Sequence, residues 1–357
     1  MLEITCTGSP VEIGRQHGEA ASQQVAGSLA FYRRLFEKYT GKPWDEVHSV
    51  AKGFATHIAQ TWSAYYEEME GVAWGSGQST LDIVALNVRS EIMFGLMNDQ
   101  TSRARTDGCT TVVLKPTSTK CFMGQNWDWM EEQKENLLLL TIISEGSLPK
   151  ITMVTEAGII GKIGLNSAGV GVCLNAIRAR GLDETRLPVH LALRMALNAQ
   201  SAREAAHALE CYGVGGAAHI MIADAHDAIG LEFTSSDAVR LSPDAKGRIV
   251  HSNHMIRSHR DLDESTEADS FARLDRIQVL TEAIFHSPEF RAGFSLVDFA
   301  QVFDDHEGYP VSICRAQEAP SEDASLFTIV MDLQQKSAVV TVGRPCCAES
   351  KHVINFD

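Results

Sequence analysis

The stretch Asp107-Gly108-Cys109-Thr110-Thr111 decides how this chain is read, because a small residue, a thiol and two hydroxyls stand where the periodicity changes. Upstream the residues read as helix, and downstream most read as strand. If the Gly108–Cys109 bond is cut, Cys109 becomes a new N-terminus carrying a nucleophilic sulfur and an α-amine on one residue. Such an amine titrates near ~8, well below a lysine, so it accepts a proton near neutral pH and can serve as the base for its own thiol. Gly108 leaves its carbonyl open to that thiol and tolerates backbone angles other residues avoid. The same five residues also fit a plain Asp-Gly turn before a strand, with Cys109 a small buried hydrophobe.

Working outward, Pro10 precedes a helical pattern with Val25, Leu29, Tyr32, Phe36 and Tyr39 on one stripe. Pro43 opens a second with Val47, Val50, Phe54, Ile58 and Trp62, and a third follows Ser79 with Leu81, Val84, Val88, Ile92 and Leu96. The polar run Asn98 to Arg103 reads as an exposed linker leading to Gly108. Beyond Cys109, strands are expected at Thr110 to Leu114, Cys121 to Gln125, Leu137 to Ile143, Ile151 to Val154, Ile159 to Leu165 and Val170 to Leu174. The last two flank Asn166-Ser167-Ala168-Gly169, a hairpin turn. Helices are expected at Leu187 to Ala199, Ala202 to Tyr212 and Ser270 to Phe285, and further strands at Ile220 to Ala223, Ile229 to Phe233, Arg248 to Ser252, Leu326 to Met331 and Ala338 to Val342. Strand runs flanked by helix groups suit an α+β protein with two sheets between helical layers.

The chain has 357 residues with 44% apolar content, enough for a substantial core. Its 31 Lys and Arg against 46 Asp and Glu give a net charge of −15, with no basic stretch to track a phosphate backbone. Nucleic acid and anionic membrane surfaces are therefore poor partners. The eight cysteines are scattered apart from the Cys346-Cys347 pair and form no Cys-x-x-Cys, so neither a zinc ribbon nor a disulfide scaffold is indicated. His251 and His254 make a His-x-x-His without a third ligand in view, and no metal is expected. Leu137 to Ile143, the most apolar stretch, is far short of the ~20 residues of a membrane helix.

The run through Cys109-Thr110-Thr111, Gly124-Gln125-Asn126-Trp127-Asp128, Thr155-Glu156-Ala157-Gly158-Ile159-Ile160-Gly161-Lys162 and Asn166-Ser167-Ala168-Gly169-Val170 resembles the isopenicillin N acyltransferase family. Glu12-Ile13-Gly14 with His17-Gly18, Gly230-Leu231-Glu232-Phe233, Val250-His251-Ser252-Asn253-His254 and Tyr309-Pro310-Val311-Ser312-Ile313-Cys314-Arg315-Ala316 extend the resemblance over almost the whole chain in the same order. The family comprises the acyl-CoA:6-aminopenicillanic acid acyltransferases of penicillin-making fungi. It implies an αββα sandwich of the N-terminal-nucleophile hydrolase type and self-cleavage between Gly108 and Cys109. Residues 1–108 and 109–357 would then remain together as a heterodimer of two subunits. The implied substrates are small β-lactams, with acyl-CoA as co-substrate and no bound cofactor. Rival readings are an amidase acting on another N-acyl compound, and an uncleaved binding or scaffold protein.

Cys109 is the expected nucleophile. Asp128 can hold the Cys109 amine, and Asn253 can donate an amide N–H to a tetrahedral oxyanion without titrating. Arg315 can set the site's electrostatics or grip a substrate carboxylate in bidentate fashion, and a structural salt bridge fits it as well. Thr111 and Thr234 are supporting hydroxyl candidates, or ordinary strand threonines. Two features depart from the family pattern. The acids Glu322-Asp323 stand where a Gly/Ser/basic stretch is expected, which predicts weaker capture of CoA phosphates. The chain ends at Val353-Ile354-Asn355-Phe356-Asp357, unlike a Ser-Lys-Leu peroxisomal address, and a cytosolic location is expected.

Overall fold

The computed structural model describes residues 1–97, 108–117, 119–260, 262, 264, 268–287 and 293–356. The linker expected at Asn98 to Arg103, and Asp107 itself, lie outside them. Two sheets lie face to face. One runs β1-β4-β5-β6-β7-β8-β9-β10, from Leu2–Gly8 (β1), Leu137–Ser144 (β4), Ile151–Glu156 (β5), Ile163–Asn166 (β6), Gly171–Ala176 (β7), Ala218–Ala223 (β8), Ala228–Phe233 (β9) and Ala238–Leu241 (β10). The other runs β11-β2-β3-β12-β13-β14, from Arg248–His251 (β11), Thr110–Thr117 (β2), Lys120–Trp129 (β3), Ala324–Asp332 (β12), Ser337–Val342 (β13) and Ser350–Asn355 (β14). All pairs are antiparallel except β1 with β4.

The alternation of side chains along β2 and β3 divides the second sheet between two cores. Val113, Met123 and Trp127 join the large core between the sheets, and Cys109 joins them. Val112, Leu114 and Phe122 face the opposite way, onto Leu274, Ile277, Phe299 and Phe303 of an outer helical layer. That layer holds α9 (Ala268–His286) and α10 (Leu296–Ala300). On the far side of the first sheet lie α7 (Val189–Leu197) and α8 (Ala202–Tyr212), with the helices of the N-terminal segment between Pro10 and Gly95. This is the expected αββα sandwich.

Several elements differ from the expectation. The segment before Cys109 is not wholly helical: β1 opens the chain and docks on β4. Its seven residues Leu-Glu-Ile-Thr-Cys-Thr-Gly do alternate apolar with polar, a strand signal the sequence reading did not use, although only Cys6 is buried. The short strands β10 and β14 are largely exposed and also escaped notice. The first helix is broken at Ala21 into α1 (Pro10–Ala20) and α2 (Ser22–Thr40), and the third at Val88 into α5 (Thr80–Asn87) and α6 (Arg89–Gly95). Strand β6 begins only at Ile163, because Ala157 to Lys162 form a buried connection bonded to the helical layer.

The glycines of the N-terminal helices have a packing cause. A Cβ at Gly14 would lie 1.9 Å from Glu68 O and one at Gly18 2.4 Å from Val72 O, both in α4 (Ser63–Ser76). Gly71 and Gly75 return the favour against Val11 O and Arg15 O, at 2.3 and 2.2 Å. Two small-residue faces thus let the α1 and α4 backbones touch. No helix among the described residues is long and apolar enough to cross a membrane.

Candidate active site

Strand β2 carries Cys109 just ahead of its first paired residue, Thr110, which stands opposite Asn126 of β3. Cys109 is buried, and its carbonyl accepts two hydrogen bonds: from Arg273 of α9 at 2.8 Å and from Asn175 Nδ2 of β7 at 3.2 Å. One donor comes from the outer helix and the other from the facing sheet, so the residue is fixed from both sides.

Continuing the β2–β3 register by two residues sets Gly108 across from Asp128. Asp128 is buried inside β3, three residues beyond the strand end expected from the sequence. Its Oδ1 accepts from Ser325 at 2.6 Å, and its Oδ2 lies 3.6 Å from Arg315 Nε. Arg315 in turn pairs with Asp269 of α9 and donates to Ser321 at 3.2 Å. A Cβ added at Gly108 would lie 2.3 Å from Arg315 Nε and 2.6 Å from its Cζ. The guanidinium therefore lies directly against the Gly108 backbone, and a side chain at residue 108 would have to displace it.

The neighbouring motif residues explain how Arg315 arrives there. Gln125 reaches across to the facing sheet and holds Leu174 through both its backbone N–H, at 3.0 Å, and its carbonyl. Asn126 points the other way and donates to Phe303 O at 2.9 Å and Ile313 O at 2.8 Å. It thereby clamps the two ends of the loop that leads into Arg315.

Asn253 donates to Ala176 O at 2.9 Å and its Oδ1 accepts from Arg273 at 3.1 Å, which fixes the orientation of the amide. Arg273 also reaches Thr110 Oγ1 at 3.1 Å. Cys109, Thr110 and Asn253 are thus gathered on one guanidinium. Behind them, Asn175 Oδ1 meets His219, whose ring stacks on His251 at 3.6 Å, and His251 Nε2 lies 2.9 Å from Glu232. His254 is bonded to Ser270 and Ser252. His251 and His254 are therefore engaged separately.

Burial governs the charges here. It pushes the Asp128 carboxyl up to about 8, against the opposing pull of Arg315, Arg273 and the Ser325 hydroxyl. Burial also works against Arg315, but Asp269, Asp128 and Asp323 outweigh it and hold its guanidinium more firmly charged than usual. For Asp269 the two arginines overcome burial and keep the carboxyl below its ordinary range. Burial and the neighbouring Arg315 lower Arg273.

Cys109, Asp128, Asn253 and Arg315, the four leading candidates from the sequence, converge with Gly108 on this region. Thr111 lies two residues along β2, buried, its hydroxyl with no hydrogen-bond partner among the described residues. Thr234 closes the turn after β9, accepting from Asp237 N at 2.9 Å. Sequence reasoning passed over Arg273, Asp269, Asn175 and Ser325. Arg273 left a signal: it shares the buried stripe of α9 with Ser270, Leu274, Ile277 and Thr281, where a charge is out of place. Asn175 left none. Of the two acids that depart from the family pattern, Glu322 is exposed and paired with Lys38 at 3.2 Å, while Asp323 is buried. A cleft of about 320 Å³ opens beside Asp269 and Arg273, walled also by Ala272, Gly308, Val311 and Pro320.

Two facing sheets between helical layers, with Cys109 entering an inner strand near Asp128, Asn253 and two arginines, define an α+β protein of αββα architecture. The chain belongs to the acyl-coenzyme A:6-aminopenicillanic acid acyl-transferase family, whose pattern matches residues 114–346. It is 40% identical over 360 residues to the acyl-coenzyme A:6-aminopenicillanic-acid-acyltransferase 40 kDa form of Emericella nidulans, covering 100% of this chain and 96% of that protein. Among solved structures, penicillin V acylase from Agrobacterium tumefaciens superposes with a TM-score of 0.46 at 11% identity, over 70% of this chain and 86% of that one.

Proposed function

We propose that this chain is a self-processing cysteine acyltransferase that exchanges the acyl side chain between isopenicillin N or 6-aminopenicillanic acid and an acyl-CoA such as phenylacetyl-CoA. The observation that carries the reading is the double anchoring of the Cys109 carbonyl beside a Gly108 pressed against Arg315. Cys109 keeps its place whether or not residue 108 remains attached.

In the first stage the Cys109 thiol attacks the Gly108 carbonyl. The peptide C–N bond breaks, the nitrogen takes the thiol proton, and a thioester joins Gly108 to the sulfur. Water hydrolyses that thioester, giving a Gly108 carboxylate and a Cys109 with thiol and α-amine both released. In the second stage the amine takes the thiol proton, and the thiolate attacks either the side-chain amide of isopenicillin N or the thioester of an acyl-CoA. Arg273 orients the Asn253 amide, whose second N–H supports the developing oxyanion. The ammonium returns its proton to the departing amine or thiol. The amine of 6-aminopenicillanic acid, or water, then accepts the acyl group. The protonated Asp128 of the uncut chain becomes a carboxylate once an ammonium stands near it. The acids at 322–323 leave the hydrolytic amidase as the second reading, since neither offers a cation to CoA phosphates.

The 1–108 and 109–357 pieces form one folded heterodimer. We place the enzyme in the cytosol, where scattered thiols stay reduced, a point that fluorescence of an N-terminally tagged chain can check. Intact-mass analysis tests the chemistry: wild-type protein should give two fragments, the larger beginning at Cys109 and gaining an acyl mass with phenylacetyl-CoA. Cys109→Ala should stay one chain. A folded wild-type protein with no new N-terminus at Cys109 overturns the reading.

A further inference from the structure

Among the described residues, one group of side chains outside the Cys109 region brings metal-binding atoms together: Asp304, His306, Cys314 and Cys346, with donor atoms all within 4.8 Å of one another. We propose that these four residues form a zinc site that pins the loop carrying Arg315. They come from three separate pieces of chain, so their meeting is a product of the fold. Asp304 ends the 3-10 turn Gln301–Asp304, His306 and Cys314 belong to the loop that follows, and Cys346 lies in the 3-10 turn Pro345–Cys347.

The two sulfurs lie 3.4 Å apart, with the Cys314 thiol donating to Cys346. Arms of 2.0–2.3 Å to nitrogen, oxygen and sulfur give a tetrahedron with edges of about 3.3–3.8 Å. The thiol pair already matches such an edge, and the longest separations need to close by about an ångström. Asp304, His306 and Cys346 are exposed enough to make that adjustment by side-chain rotation, while Cys314 is buried and supplies the fixed corner. The backbone is already held. Cys314 N donates to Asp305 O at 2.9 Å, and the Asp305 carboxylate takes two bonds from Arg276 of α9, at 3.0 and 2.6 Å. Asp305 sits between two of the ligands, so that clamp steadies both.

The donor set selects the ion. Two thiolates and an imidazole suit zinc and reject magnesium or calcium, which take oxygen ligands. Two thiolates and one carboxylate against a divalent ion leave one negative charge, and Arg344 stands beside both cysteines to balance it. Cys314 directly precedes Arg315, and a metal tie to the 345–347 turn fixes the backbone from which that guanidinium reaches Gly108.

The test is metal content of the full-length chain, purified without chelator and measured by plasma mass spectrometry, with Co(II) as a spectroscopic probe. About one zinc per chain is expected. Cobalt should give thiolate charge-transfer and tetrahedral d–d bands. Cys346→Ser and His306→Ala, both exposed positions, should fold by circular dichroism and weaken zinc binding at least tenfold, and Cys211→Ser, an exposed thiol elsewhere, should not. The proposal is overturned if wild-type protein holds under a tenth of an equivalent after zinc loading. It is equally overturned if the cobalt bands survive Cys346→Ser, or if peptide mapping finds Cys314 and Cys346 joined as a disulfide. None of these readouts depends on acyl transfer.

Discussion

Asp128 is a buried acid whose folded-state pKa, about 8, stands far above the ~3.9 of an unfolded aspartate. The native state therefore holds a proton that the unfolded chain has lost. The stabilisation is complete below about pH 4 and fades as pH rises through about 8. In the uncut Cys109→Ala protein, Asp128→Asn should flatten that part of the profile, so that its melting temperature falls less between pH 5 and 8 than the parent's. A parallel fall in both proteins would remove Asp128 as the source. At the same scale, Asn253→Ala should lower turnover by roughly two to three orders of magnitude while self-cleavage still goes to completion, as expected of an oxyanion donor. Unchanged steady-state rates in the cleaved variant would take Asn253 out of the mechanism. The sequence revealed these residues because an acid after Asn-Trp and an amide between histidines are conspicuous. Arg273 was less visible, since its role depends on α9 crossing over Cys109, which no local pattern reports.

The β3 strand shows at the level of an element what the motif Gly124-Gln125-Asn126-Trp127-Asp128 accomplishes. Gln125 bonds the opposite sheet, Asn126 clamps the 303–313 loop, and Asp128 faces Arg315. Replacing Asn126 by Ala strips the donor from two buried carbonyls and should cost about 2–4 kcal/mol. Self-cleavage should slow along with it, because the loop that delivers Arg315 is loosened. Time courses on gels and denaturant melts of the variant check both effects, and a stable variant that cleaves at the normal rate would show the clamp to be dispensable. Here too legibility was uneven. The core strands and α2, α3 (Trp44–Thr61), α7 and α8 were readable from apolar spacing, α8 to the residue, but β3 runs four residues past its expected end. The expected strand stopped at Gln125 because polar Asn126 and Asp128 look like a turn, yet both are buried with partners supplied by distant chain.

For the molecule as a whole, buried ion pairs tie residues 1–108 to the rest, and under the proposed cut they would hold the two pieces together. Glu156 at the end of β5 is buried among Lys162, Tyr32 of α2 and Arg89 of α6. Burial alone would raise its pKa, but Arg89 and Lys162 outweigh it and hold the carboxyl at about 2. The sign is opposite to that of Asp128: this stabilisation is present above about pH 4.5 and is lost as pH falls toward 2. Glu68 of α4 makes two 2.8 Å bonds to Arg194 of α7, a second buried bridge across the same boundary. Glu156→Gln leaves two buried cations short of their partner and should cost about 3–5 kcal/mol. Cleaved wild-type protein should elute in gel filtration as a single species near 39.0 kDa, while Glu156→Gln sheds its smaller fragment in mild denaturant. Co-elution of both fragments at the same denaturant concentration as wild type would discount the bridge.

The docking of β1 on β4 carries a consequence for protein quality control. Strand β4, Leu-Leu-Leu-Leu-Thr-Ile-Ile-Ser, is strongly apolar, and among the described residues its outer row of backbone donors and acceptors is covered by the first residues of the chain. Under the proposed cut, that cover would belong to a different polypeptide. A lost smaller fragment would turn β4 into a bare, sticky edge ready to pair with another such edge. Under that reading the smaller fragment would serve as a standing chaperone for its partner, and ageing of the cleaved protein should show first as precipitation of the larger piece alone.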